Sequence, residues 1–223
     1  MISDVKGPSA WPVRKAKARA TRAAVIEAAG DLFVAKGYLG TSVQAIADKA
    51  GVSRATVFNS VGGKLDLLRA AYDVATVGDD ERIPLPQRPQ ALAVRAEPDA
   101  RKTVAGYAAM VTEVSSRLAG IYEAFRCAAG VDPRVRVQWT QIQQERFGGA
   151  RGFVEILTGK GPLRDGLTAA EAADLVWVLI DASLYHRLVT ERSWTTGRFQ
   201  TWLTTTMEAQ LLSPTTELHQ SDI

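Results

Sequence analysis

Arg54, Ala55, Phe58 and Asn59 stand at i, i+1, i+4 and i+5, so on a helix they share one outward face. A guanidinium pairs in bidentate fashion with guanine, a side-chain amide with adenine, and an alanine methyl fits the methyl of thymine. Other chemistry is sparse. Gly62, Gly63 and Lys64 resemble a phosphate loop only superficially, because Phe58 stands where the earlier glycine is needed and Leu65 where Ser or Thr should follow. The two histidines are His186 and His219, and Ser183 beside His186 on one helix lacks the third member and oxyanion site of a triad. No metal site and no organic cofactor is expected. Cys127 is the single cysteine, which excludes an intrachain disulfide framework and is expected to be a buried thiol.

The reading face needs a short helix held at a fixed angle, and the flanking residues supply one. Thr41 followed by Gln44 reads as a capping box that starts a helix at about Ser42, and Val43, Ile46, Ala47 and Ala50 give it one apolar face. Gly51 sits where a left-handed residue ends the helix, and Ser53 is a good N-cap for the next, whose Val57 and Val61 turn inward with Val52. Upstream, Val25, Ala29, Leu32, Phe33 and the stem of Lys36 trace a longer helix closed by Gly37. Three helices of this kind bury a shared core, and a helix, a tight turn and a second helix form the unit that enters a DNA major groove.

The stretch TRAAVIEAAGDLFVAKGYLGTSVQAIADKAGVSRATVFNSVGGKLDLL, Thr21 to Leu68, resembles the TetR (tetracycline-repressor-like) family of bacterial transcription regulators. The resemblance rests on AA..LF..KGY, TSV..IA..AGVS..T and the lysine that opens the next helix, and it covers about a fifth of the chain. It implies a DNA-binding set of Thr41, Ser42, Gln44, Ser53, Arg54, Ala55, Thr56, Phe58, Asn59 and Lys64, with Thr41 and Lys64 on phosphates. The chain departs from the family late in the second helix. Phe58 lacks the hydroxyl of the usual tyrosine, Ser60 and Val61 replace histidine and phenylalanine, Gly62 and Gly63 replace a more polar pair, and Leu65 replaces a frequent glutamate. Weaker capping of the fourth helix is the expected result.

Charge is segregated in the same sense. The chain carries a net +3, yet residues 1–69 hold 11 Lys and Arg against 5 Asp and Glu, so a basic head precedes an acidic body. Such a head suits phosphate attraction. Residues 1–18, with Arg14, Lys15 and Lys17, read as a mobile basic arm, 19–64 as the helix-turn-helix domain, 65–213 as a helical effector-binding and dimerisation domain, and 214–223 as a flexible tail. No secretory signal or membrane span is present in the sequence, so a soluble, cytoplasmic protein with no membrane partner is expected.

The spacing predicts an all-α fold. A fourth helix runs from Lys64 to about Val77, the proline-rich stretch Gly78 to Gln90 reads as a loop, and Asp99 opens a long helix to about Arg117 with a further stretch to Ala129. Asp132 with Pro133 starts the next, Gly159 to Gly166 is a loop, and Thr168 with Glu171 caps a helix through Val189 that is apolar nearly all round. Trp194, Thr195 and Phe199 read as a hydrophobic staple for the last helix. The resemblance implies a homodimer formed by these last two helices, with Leu175, Val178, Ala182, Tyr185, Leu188, Phe199, Trp202, Leu203, Met207 and Leu211 as interface candidates. It also implies an effector pocket, for which Tyr107, Met110, Tyr122, Phe125, Trp139, Gln143, Phe147, Trp177 and Asp181 are candidates. The expected function is a ligand-responsive regulator, a repressor in preference to an activator, whose dimer reads a palindromic operator in double-stranded DNA and is released by a small-molecule effector. The competing reading is a small-molecule binding protein of the same fold with weakened DNA binding.

Overall fold

In a computed structural model that describes residues 10–79 and 83–214, the described residues contain helices and no strand. In order these are α1 (Ala10–Lys36), α2 (Val43–Ala50), α3 (Arg54–Ser60), α4 (Lys64–Val77), a 3-10 turn (Leu85–Gln87), α5 (Pro89–Ala96), α6 (Ala100–Val131), α7 (Pro133–Thr158), α8 (Ala169–Leu179), α9 (Ala182–Tyr185) continuing as a π-helical segment (His186–Glu191), and α10 (Thr196–Leu211).

Two apolar cores hold them. The first gathers Val25, Ala29 and Phe33 of α1, Ile46 and Ala47 of α2, Val57 of α3 and Leu67, Leu68 and Tyr72 of α4 against Ile121, Tyr122 and Phe125 of α6. The second joins Val104, Tyr107 and Val111 of α6 to Phe153 and Leu157 of α7, Val176 of α8 and Phe199, Leu203 and Met207 of α10. At 32 residues, α6 is about 48 Å long and belongs to both. Where it crosses α1, Gly120 faces Val34, and a Cβ on that glycine would sit 3.1 Å from the valine methyls.

The turn of the helix pair forms as its sequence dictates. Gly51 adopts φ 67°, ψ 31°, its N–H reaching the end of α2, and Ser53 caps α3 by accepting from the Thr56 N–H. The start of α2 differs from the expected capping box. Ser42 is the N-cap and accepts from Ala45 N, whereas Thr41 is buried and donates its hydroxyl to the carbonyls of Leu32 (3.0 Å) and Gly37 (2.8 Å). Gln44 donates to Asp48 at 2.8 Å instead of reaching back to the cap. Thr41 therefore ties α2 to the end of α1. Thr41→Val is expected to lower stability by about 1 kcal/mol, the worth of an ordinary hydrogen bond, with DNA affinity unchanged; a thermal melt beside a gel-shift titration measures both.

Other differences have local causes. Residues 10–18 are helical and continuous with α1, so the expected arm is helix over that span, while residues 1–9 and the tail from 215 lie outside the described residues. The proline-rich stretch ends earlier than expected because Pro89 takes the first position of α5, where its missing N–H costs nothing. No break occurs near Arg117 in α6. The apolar stretch after Thr168 is interrupted at Ile180 because the Asp181 carboxylate accepts from Ser183 N and Oγ and so opens a new helix. Cys127 is exposed, since Ala124, Phe125, Ala128 and Ala129 hold the buried face of α6 and 127 falls off it. Trp194 sits edge-on to Trp202, with centroids 6.3 Å apart, and carries the Arg198 guanidinium over its ring at 3.9 Å.

Candidate nucleic-acid interface and interior cavity

On α3 the buried Val57 anchors the helix, and Arg54, Ala55, Phe58 and Asn59 are exposed on one side of it. The Arg54 guanidinium lies 5.5 Å from the Phe58 ring centroid, which steers a long cation along the outer face. Ser53 and Thr56 bond through their hydroxyls at 2.8 Å, and Ser42 and Gln44 lie exposed at the start of α2. Lys64 opens α4 with its ammonium 4.4 Å from the Tyr38 ring centroid; burial holds its pKa below the usual lysine range, with Asp132 opposing. Among the candidate DNA contacts, Thr41 is the one whose hydroxyl is enclosed, so it is corrected to a structural role.

The paired glycines that precede α4 have a conformational reason. Gly62 takes φ 130°, and a Cβ there would fall 2.5 Å from Asp66 Oδ2, the atom that accepts from Gly63 N at 2.8 Å. Asp66 thus supplies at the third helical position a cap where weaker capping was expected, and only a glycine leaves it room. A further tie came with no sequence signal. Arg22 Nη1 donates to the Ser60 carbonyl at 2.7 Å, placing a cation from α1 at the C-terminal end of α3 across 38 residues of separation.

Behind this head a cavity of about 1370 Å³ opens between α4, α5, α6 and α7 and reaches Arg22, Ser60 and Val61. Tyr107 and Met110 line it. The remaining pocket candidates do not. Tyr122 donates to Asp181 at 2.7 Å, and Arg146 reaches the Tyr122 hydroxyl and Asp181 at 3.0 Å each, Gln143, and the Trp177 carbonyl at 3.1 Å. Phe125 and Trp139 stack within the first core, and Phe147 meets Trp177 edge-on at 6.4 Å. Burial pushes the Asp181 carboxyl up, but Arg146 and the bonds from Ser183 and Tyr122 outweigh it and hold it below the usual range.

Lining residues that the sequence reading missed are Arg146 itself, Gln138, and Gly148, Gly149 and Gly152, which leave open space where side chains would stand. An arginine and three closely spaced glycines on α7 are the available signal. At the rim, Arg69 links Asp73 (2.8 Å) to Glu145 (3.1 Å) and so bridges α4 to α7. Burial raises the Asp73 carboxyl above its usual range against the pull of Arg69.

Of the interface candidates, Ala182, Tyr185, Phe199, Leu203, Met207 and Leu211 are buried in the protomer's own cores and have no surface to offer a second copy. Leu175, Leu188 and Trp202 keep part of their surface, and Val178 is 53% exposed. Among the described residues no group of His, Cys, Asp and Glu could hold a metal, and no helix is long and apolar enough to cross a membrane.

Residues 25–71 match the family described as bacterial regulatory proteins, tetR family. The HTH-type transcriptional regulator TtgW of Pseudomonas putida is 44% identical over 55 residues, a match that takes in 25% of this chain and 41% of TtgW. The regulator YdeS of Bacillus subtilis is 25% identical over 170 residues, 76% of this chain and 78% of YdeS. A TetR transcriptional regulator from Chloroflexus aurantiacus superposes with TM-score 0.64 at 20% identity, covering 89% of this chain and all of that one. NalD, the secondary repressor of the MexAB-OprM multidrug efflux pump in Pseudomonas aeruginosa, superposes at 0.62 and 21% identity over 90% of this chain and 98% of its own. The structural likenesses show the fold. Fold and site together give a helix-turn-helix unit with an outward face on α3, joined to a helical companion body. Over residues 25–71 the chain is similar to the TetR family of transcription regulators, and the rest of it shares their fold.

Proposed function

We propose that the chain is a homodimeric repressor of the cytoplasm that binds a palindromic operator through α3 and is released when a small molecule occupies the cavity. The observation that carries this reading is the exposed face of Arg54, Ala55, Phe58 and Asn59, held by the buried Val57 and the Ser53 cap. Arg54 pairs with guanine, Asn59 with adenine, Ala55 touches a thymine methyl, and Lys64 with the hydroxyls of Ser42, Ser53 and Thr56 engages phosphate. One such helix contacts too little DNA for specific regulation, whereas two related by a two-fold axis read both halves of a palindrome. Leu175, Val178, Leu188 and Trp202 supply the outer apolar surface for that pairing.

Release follows from the cavity's position. A ligand between α4 and α7 meets the Arg69–Glu145 bridge, and one that extends to Arg22 and Ser60 meets the end of α3 itself. Whichever arrangement of α4 the ligand favours gains population. NalD, with the same fold, is described as a repressor, in keeping with this direction.

Footprinting on the promoter region next to the protein's own gene tests the reading. A two-fold symmetric protected site is expected, with affinity falling steeply with salt, about 0.9 in log K per log salt for each phosphate contact. Absence of protection at low salt, with ligand binding retained, would instead establish a binding protein that has lost its DNA function.

A further inference from the structure

Among the polar groups that line the cavity, Gln138 Oε1, the Tyr107 hydroxyl and Arg146 Nε have no hydrogen-bond partner among the described residues. Gln138 Oε1 is buried with no hydrogen-bond donor, although Gln138 lines the void. Tyr107 is 7% exposed, its ring stacks on Phe153 with centroids 3.7 Å apart, and its hydroxyl makes no hydrogen bond among the described residues. Burial pushes the Tyr107 phenol up, so it stays protonated and offers a donor. Arg146 spends Nη1 and Nη2 on Tyr122, Gln143, Asp181 and the Trp177 carbonyl, which leaves Nε without a partner. A polar atom buried without a partner, as Gln138 Oε1 is, is costly, so a bound molecule that supplies the complement gains accordingly.

Shape and charge narrow that molecule. Gln138 and Phe153 lie 15 residues apart along α7, about 22 Å. Between them run Ile142, the ion-paired Glu145 and Arg146, Gly149 and Gly152, opposite Met110, Val111 and Val114 of α6, so the passage is long, its α6 wall is apolar and the charges at its middle are paired. The buried arginine already has its counter-ion, since Arg146 sits 3.0 Å from Asp181 with side chains 11% and 25% exposed. Arg69 is likewise matched at the rim by Asp73 and Glu145. An ionised head lodged at the inner wall would be a buried charge with no partner, the costliest kind of contact.

We infer that the cavity takes an elongated, uncharged, largely apolar molecule carrying a hydrogen-bond acceptor for Tyr107 and a donor for Gln138. The inference rests on the cavity being the effector site, and it can fail separately from that reading. The glycines of α7 form the flat wall against which the chain of such a molecule lies, and the absence of their side chains gives the passage its width.

Calorimetric titration of the full chain with decanamide, decanoate and decylammonium, all below micelle formation and without DNA, tests it. Decanamide should bind at least ten-fold more tightly than either ion. Tyr107→Phe removes one oxygen and keeps the stack on Phe153, and should weaken decanamide roughly 3–10-fold, one ordinary hydrogen bond. Gly149→Leu should abolish binding of the amide by filling the passage. Tighter binding of either ion, no heat from decanamide on the wild-type chain, or a Tyr107→Phe protein that binds the amide as well as wild type would each overturn the inference. A footprint repeated with saturating decanamide keeps the two readings apart, because binding without DNA release sinks the effector role and leaves the ligand class standing.

Discussion

Arg54→Ala and Asn59→Ala combined are expected to reduce operator affinity at least about a hundred-fold, since each bidentate base contact is worth about 1–3 kcal/mol and a dimer would lose both contacts in each half-site. Both side chains are exposed and carry no weight in the protomer's core, so the fold should be untouched. The helix beneath them is fixed by groups the substitutions spare: Val57 inside the core, Ser53 at the N-cap, and Arg22 on the Ser60 carbonyl. Loss of Arg54 also frees the Phe58 ring from its cation. The check is a gel-shift titration of operator and scrambled DNA beside a thermal melt. Selective loss on the operator with an unchanged melt is the expected outcome. Equal loss on both DNAs would make these residues phosphate contacts, and unchanged operator binding would remove them from the interface.

Arg146→Met should produce the largest fall in stability. It leaves the Asp181 carboxylate beneath the cavity without its cation, and breaking a buried pair from one side costs about 3–5 kcal/mol. For a chain of this size each kcal/mol moves the melting temperature roughly 2–4 °C. The pH dependence has a definite sign. Because Asp181 is held below the usual carboxylate range in the folded chain, the stability it contributes is present above its unfolded pKa and is lost as pH falls through the folded value. In Arg146→Met, burial is left as the main influence and the carboxyl takes up a proton more readily. The deficit against wild type should therefore be greatest near neutral pH and should narrow in acid. Adding Asp181→Asn to Arg146→Met should recover part of the loss, since the orphaned charge is gone. Melts across that pH range measure this, and an Arg146→Met protein as stable as wild type at neutral pH would exclude the pair as a structural element.

How much of this was legible depended on the reach of each interaction. The helix-turn-helix could be read because its determinants lie within a turn or two of one another: Gly51 at the left-handed position, Ser53 as cap, Val57 as the inward residue. The error at Thr41 arose within the same motif. Thr41 and Ser42 are both good caps, and the choice between them was decided by the carbonyls of Leu32 and Gly37, which sequence spacing does not reveal. The cavity was harder, because aromatic residues in a helical body belong to core or to pocket according to which neighbour arrives from elsewhere in the chain. Tyr122 and Tyr107 look alike in sequence, yet one is satisfied by Asp181, 59 residues away, and the other faces the void. Asp181 misled for the same reason. In an apolar run it reads as a polar contact for a ligand, whereas its carboxylate caps α9 and pairs with Arg146. The expected interface failed at six positions because an apolar face can be covered by its own chain as readily as by a partner.

The length of α6 bears on how such proteins can be recombined. Its second half, Leu118 to Ala129, is a wall of the core that also holds α1 and α4, while its first half builds the body. A cut after Val77 would separate all four N-terminal helices cleanly in sequence and still strip them of their innermost wall. Exchanging operator specificity between relatives is therefore not a matter of joining one head to another body at the loop. The donor's α1 would have to fit the recipient's α6 at a crossing as close as that of Val34 on Gly120. If α3 reads DNA as proposed, the portable unit is narrower, its outward side chains alone, and these could be exchanged without disturbing the interior of the scaffold.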